Sequence, residues 1–131
     1  MSPNPFDYGN HDSFVNRLRR RRFVLLQNAV AGLRRAGRTL RILDIGGDVH
    51  FWRSMGWKEP LSRVTLLNLE ATYLTVDEAQ RFDVVVGDAL ALPYSAGDFD
   101  LIFSNSVIEH VGNWANQEKF ASEVRRMKCA Y

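Results

Sequence analysis

The run Arg41-Ile42-Leu43-Asp44-Ile45-Gly46-Gly47-Asp48 constrains this chain more than any other stretch. Its apolar part reads as a buried parallel strand. The acid near its carboxyl end can face a ligand, and the glycines let backbone come close to one. A second acid-bearing strand end follows at Glu70, and a third at Asp88. Three such ends in order, roughly twenty residues apart, are what a doubly wound α/β sheet needs to build one ligand crevice.

The rest of the pattern supports alternating strands and helices. Residues 1–12, with Pro3, Pro5 and Gly9, read as a flexible arm. Asp12 or Ser13 is placed to cap a helix that runs to about residue 35, and Gly37 to end it. Within that helix Phe14, Leu18, Leu25, Ala29 and Leu33 recur at helical spacing and predict one apolar stripe. Strands are expected at 39–45, 63–69, 82–86 and 100–104. Between them lie a short helical or irregular segment at 50–56, a helical turn at 76–80, and a loop at 90–99 with turn residues Pro93 and Gly97. A turn through Gly112 and Asn113 leads to a last helix at 116–127. The chain thus divides into an arm at 1–12, a basic amphipathic helix at 13–38 and an α/β core at 39–131. Leu101-Ile102-Phe103 is apolar on both faces, as a central strand is. So few strands suggest a domain truncated at its C-terminus, or one that self-associates through the edge of strand four.

Composition excludes several classes. The single Cys129 rules out an internal disulfide and fits a reducing compartment. One cysteine and three scattered histidines provide no zinc-ligand spacing, so no metal is expected. No apolar run approaches the ~20 residues of a membrane span, and the N-terminus lacks a signal-peptide core. A cytoplasmic location without membrane attachment is the expectation. The net charge of +2 hides an asymmetry: residues 13–41 hold nine arginines and no acid, whereas residues 42–131 hold eight bases against thirteen acids. The basic character therefore belongs to the first helix rather than to the crevice.

The order of these pieces resembles the class I S-adenosylmethionine-dependent methyltransferases, particularly their broad "type 11" branch. Arg41-Ile42-Leu43-Asp44-Ile45-Gly46-Gly47 is similar to the family's first strand and glycine loop. Val64-Thr65-Leu66-Leu67-Asn68-Leu69-Glu70 is similar to its second strand, and Val85-Val86-Gly87-Asp88-Ala89-Leu90-Ala91-Leu92-Pro93-Tyr94 to its adenine-binding segment. Phe99-Asp100-Leu101-Ile102-Phe103-Ser104-Asn105 resembles strand four and its exit, and Glu123-Val124-Arg125-Arg126-Met127 the helix that follows. The resemblance implies a Rossmann-like doubly wound parallel sheet, incomplete at about four strands in the order 3-2-1-4, with flanking helices. It also implies S-adenosylmethionine as cofactor and a methyl acceptor that the sequence does not identify.

The same resemblance suggests roles at the cofactor site. Asp44 would hold the methionine ammonium, and Gly46 and Gly47 would admit the cofactor against the loop. A carboxylate at the second strand end would bind the ribose hydroxyls, accepting both hydrogen bonds. Glu70 is favoured for this, although the family's usual acid aligns with Asn68; residues two apart share a face of a strand. Asp88 would accept from the adenine amino group, with the Ala89 N–H at a ring nitrogen, and Ser104 and Asn105 would line the methyl-donor end. No catalytic residue is identified. Asp48, Val49 and His50 stand where the family's loop continues with small residues, so they either crowd the methionine moiety or re-route the loop.

Each residue also has a plainer reading. Asp44 and Asp88 are turn acids in that reading, and Glu70 is a surface carboxylate. His110, after Glu109, suggests a general base but belongs to a segment read as packing. Phe51, Trp52 and Trp57 read as core rather than as a substrate cage. The rival functions are a dinucleotide oxidoreductase, for which Gly46-Gly47-Asp48-Val49-His50-Phe51 lacks the G-x-G-x-x-G spacing, and a non-catalytic methyltransferase-like binding module. Nucleic-acid binding through Arg19–Arg22 is a further, weaker alternative. Four consecutive helical residues spread around the axis, and few aromatics accompany them.

Overall fold

Four parallel strands form the sheet: β1 (Leu40–Ile45), β2 (Ser62–Asn68), β3 (Phe82–Val86) and β4 (Leu101–Ser104), in the order β3-β2-β1-β4. This is the Rossmann-like arrangement expected from the sequence. The computed structural model describes residues 14–34, 37–105 and 107–127. The expected arm at 1–12, the cap at Asp12 or Ser13, Arg35 and Cys129 lie outside the described residues. The chain divides into two units, one up to residue 34 and one from residue 35 onward.

The second unit is a sheet with a helix on either face. Side chains alternate across a strand, and β1 is buried on both sides. Leu43 and Ile45 point one way and join Leu67, Leu92 and Phe99 in an apolar cluster with Phe120 and Met127 of the α3 region (α3, Trp114–Arg126). Ile42 and Asp44 point the other way, in register with Val64 and Leu66 of β2 and with Leu101 and Phe103 of β4. A short helix, α2 (Val49–Ser54), lies on that second face. Its Trp52 is fully buried, edge-on to Phe82, Phe103 and Trp57 at 5.1–6.2 Å between ring centroids. Phe51, Trp52 and Trp57 are thus half-buried or buried packing residues.

The ends of the sheet are tied by ions. Asp100, one residue before β4, accepts from the Arg41 N–H at 2.8 Å and pairs with the Arg38 and Arg41 guanidinium groups. Strand four starts at Leu101, and Asp100 just before it fastens β4 to the start of β1 through both its carboxylate and its N–H, which donates to Arg41 O at 2.8 Å. Strand two starts one residue earlier than expected, at Ser62. The Ser62 hydroxyl accepts from the Trp57 indole at 3.1 Å and donates to the Glu59 carbonyl at 2.9 Å, which draws it into the ladder. Asn113 caps α3 through the Asn116 N–H, so that helix begins two residues before the expected 116. The expected helical turn near 76–80 is a 3₁₀ turn at Glu78–Gln80.

The first unit corrects one reading. Helix α1 (Phe14–Leu33) buries Asn16, Phe23, Leu26 and Val30, whereas Phe14 is 56% and Leu25 69% exposed. The buried stripe is rotated by about one residue, ~100°, from the predicted one. Two stripes in this helix satisfy the same period, and the stripe carrying Phe23, Leu26 and Val30 is the one buried.

Candidate functional site

The carboxyl ends of β1, β2 and β3 open onto one cavity of about 620 Å³, within the range of small-molecule sites. Ile45 and Leu67 floor it, and both belong to the α3 side of the sheet. Of the predicted site residues it brings together Gly46, Glu70, Asp88 and Ala89, with Asn68 beside them. Among the described residues, Asp44, Gly47, Ser104 and Asn105 are not on its wall.

The glycine turn has a different reason at each position. Gly46 has φ +74°, the left-handed region that favours glycine, and a Cβ there would run into the Val107 side chain. Its N–H donates to Leu67 O at 2.7 Å, extending the ladder one residue past β1. At Gly47 the backbone lies so close to Asp44 that a Cβ would overlap the carboxyl group. The Gly47 carbonyl accepts from the Asn68 amide at 2.7 Å, which ties the turn to the end of β2. Asn68 is thereby engaged in holding the turn, while Glu70 stands exposed at the cavity.

Asp48 answers the question posed by its bulk. It is the N-cap of α2, with extended backbone and its carboxylate accepting from the His50 N–H at 2.9 Å. The loop is re-routed into a helix, and among the described residues Asp48, Val49 and His50 are not on the cavity wall. The third strand end is built similarly. Gly87 N–H donates to Asn68 O at 2.8 Å, and Asp88 accepts from the Leu90 N–H at 2.8 Å, which folds the chain back toward the cavity with Ala89 on its wall.

Asp44 is the most unusual group nearby. It is 1% exposed; Oδ2 accepts from the Trp52 indole N–H at 2.7 Å, and Oδ1 has no hydrogen-bond partner among the described residues. Burial pushes its pKa up to about 7; the Trp52 N–H lowers it and the Asp48 charge raises it further. The reason it misses the cavity wall is strand parity. Asp44 shares the α2 face with Ile42, whereas Ile45 and Leu67 share the cavity face.

The cavity includes one residue that the sequence reading set aside and one that it did not reach. His110, on a 3₁₀ turn at Ile108–His110, lies on the wall, and so does Thr72. The Glu109-His110 pair after strand four was a usable signal; Thr72, in irregular chain, had none. Ser104 donates from its hydroxyl to Ile45 O at 3.3 Å, a tie between β4 and β1. Among the described residues no group of three His, Cys, Asp or Glu side chains can hold a metal ion, and no helix is long and apolar enough to cross a membrane.

The methyltransferase domain family matches residues 43–128, from the acid-bearing strand end through α3. The chain belongs to the class I S-adenosylmethionine-dependent methyltransferase family. Among solved structures, this methyltransferase domain is similar to the CurJ carbon methyltransferase, with TM-score 0.68 and 18% identity over 97% of this chain and 39% of that one. It is similar to a SAM dependent methyltransferase from Aquifex aeolicus, with TM-score 0.51 and 14% identity over 79% of this chain and 57% of that one. It is also similar to the cyclase SpnF, with TM-score 0.57 and 19% identity over 80% of this chain and 41% of that one. The domain therefore spans between 39% and 57% of the length of these structures. No curated protein matches it in sequence.

Proposed function

We propose that this chain is the cofactor-binding portion of an S-adenosylmethionine-dependent methyltransferase. The observation that carries the reading is the convergence of Gly46, Glu70, Asp88 and Ala89 on one cavity at three successive strand ends. The donor set fits the cofactor's parts. Glu70 has an exposed carboxylate for a diol, Asp88 and Ala89 offer an acceptor and a backbone donor for a purine edge, and the bare Gly46 leaves room for close approach. Asp44, whose Oδ1 has no hydrogen-bond partner among the described residues, is assigned to a cationic amine at the glycine turn, where it bears charge when ionised. Ser104 and Asn105, at the β4 exit, are assigned to the methyl-donor end.

When bound, the cofactor supplies an electrophilic methyl group on a sulfonium, and transfer is an in-line displacement that depends on positioning. The protein's share of the work is to hold the donor still and exclude water. The acceptor is a second molecule of unspecified class. The test is calorimetric titration with S-adenosylhomocysteine. A micromolar dissociation constant, about −8 kcal/mol, is expected, and lack of binding by folded protein refutes the reading.

A second reading has one observation in its favour: SpnF, a cyclase, shares the fold, so the fold alone does not entail methyl transfer. In that reading the domain binds a ligand without methylating. Cofactor binding without turnover of any acceptor by the full-length protein supports it.

A further inference from the structure

Trp52 was read from the sequence as packing, yet it makes the one hydrogen bond that the Asp44 carboxyl group receives among the described residues. The bond is built rather than incidental. Both partners are essentially fully buried, and the indole is fixed by Trp57, Phe82 and Phe103, from three different parts of the sheet layer. The same carboxyl group also meets Gly47, whose backbone lies so close that no side chain fits there. Its neighbours in register, Leu66 and Phe103, are apolar and offer no proton donor. The carboxyl is thus clamped in one orientation directly beneath the turn that borders the cavity.

We propose that Trp52 is a positioning residue, whose N–H holds the Asp44 carboxyl beneath Gly47 so that binding of a cationic cofactor group is coupled to ionisation of that carboxyl. This rests on the cofactor reading above. The physical argument is one of compensation. A buried carboxylate with one lone hydrogen bond is costly, and a positive charge arriving at the glycine turn lowers that cost, so ligand binding favours the ionised form. Trp52 sets how much of the cost is already met in the free protein, because its N–H stabilises the charged form. The charged group that acts on Asp44 besides the ligand is Asp48, at the cap of α2, which opposes ionisation. The raised pKa of about 7 puts the transition in an accessible range.

The chain carries its own controls. It has three tryptophans: Trp52 donates to Asp44, Trp57 donates to the non-titrating Ser62 hydroxyl, and Trp114 is 72% exposed. In ¹H–¹⁵N spectra of the ligand-free protein, one indole N–H resonance of the three should titrate near neutral pH, and it should be the one absent from Trp52→Phe. Three indole resonances that do not move between pH 5 and 8.5 would overturn the proposal, and this readout needs neither ligand nor a folded variant. With S-adenosylhomocysteine, wild-type affinity should rise about tenfold per pH unit below the midpoint and level off above it, as one linked proton requires. Trp52→Phe keeps an aromatic ring but loses the donor, so its rise should be displaced to higher pH. Equal loss of affinity at all pH values would mark a merely structural role. Absence of binding by wild-type protein at every pH would remove the cofactor reading instead, and the ligand-free titration then decides the Trp52–Asp44 coupling alone.

Discussion

Replacing Asp44 with asparagine should make the ligand-free protein more stable at alkaline pH while weakening its cofactor site. In the folded chain the carboxyl group titrates near 7, against an ordinary value of 3.8, because burial disfavours its charge. Between those two pH values the folded state keeps a proton that the unfolded chain has released. This group's contribution to stability is therefore full below about pH 4, falls as pH rises, and is gone above about pH 7. A displacement of about three pH units at ~1.4 kcal/mol each makes the decline on the order of 4 kcal/mol. Asparagine bears no charge at any pH, and its Oδ1 still accepts from the Trp52 indole. Its amino group is left short of a partner, which costs roughly 1–3 kcal/mol. The net expectation is a variant less stable than wild type near pH 4 and more stable by roughly 1–3 kcal/mol at pH 8. Urea unfolding at half-unit intervals from pH 4.5 to 8.5 measures this, in a window above the range where Asp100 and Glu123, both held below the ordinary carboxylate range, titrate. Two parallel stability curves, offset equally at every pH, would refute the reasoning.

Other perturbations follow from the same contacts. Gly47→Ala places a Cβ against the Asp44 carboxyl, and since Trp52 holds that carboxyl in place the variant should lose about 1–3 kcal/mol of unfolding free energy in urea. Asp88→Ala should weaken S-adenosylhomocysteine binding by about 1–3 kcal/mol, measured calorimetrically, with little change in melting temperature. For Asp100, burial raises the pKa, but the Arg41 N–H and guanidinium and the Arg38 charge outweigh it, so the group sits below its ordinary value. Its stabilisation is present above about pH 4 and lost as pH falls through the lowered value. Asp100→Asn should flatten that acid limb by about 1 kcal/mol, a small figure because both guanidinium groups are half exposed. Glu123 accepts from the Leu92 N–H at 2.8 Å, and Arg126 donates to the Leu92 and Tyr94 carbonyls. Glu123→Ala should therefore speed hydrogen exchange at the Leu92 amide while exchange in β1 is unchanged.

The sheet was legible because its strands carry their signal locally. Ile42-Leu43 and Leu66-Leu67 are apolar on both faces, and Gly46 and Gly87 mark where backbone turns or approaches closely. What the pattern could not carry was any choice decided by a distant partner. The start of β2 moved to Ser62 because Trp57 and Glu59 engage its hydroxyl. Asp100, expected within β4, lies just before it, with its carboxylate held by two arginines near the start of β1. In α1 the period allowed two stripes, and burial selected Phe23, Leu26 and Val30.

The site shows the same division. Gly46, Glu70, Asp88 and Ala89 share a cavity because they sit at or just beyond strand ends, a property of chain order alone. Asp44 also sits near a strand end, but its direction depends on parity, and parity was readable. Asp44 is two residues from Ile42 and one from Ile45, so it must face away from the side that Ile45 faces. The sequence did not disclose which side would hold the cavity; that depends on α3 packing Phe120 and Met127 over Leu43 and Ile45, and on α2 covering the other face. Asp48 completes the argument. Its carboxylate caps α2 through the His50 N–H, at the start of the helix that carries Trp52 to Asp44. The departure from the family's loop and the clamp on its acid are therefore one local design, and changing Asp48 to glycine should disturb the Trp52 indole resonance before it alters the cavity.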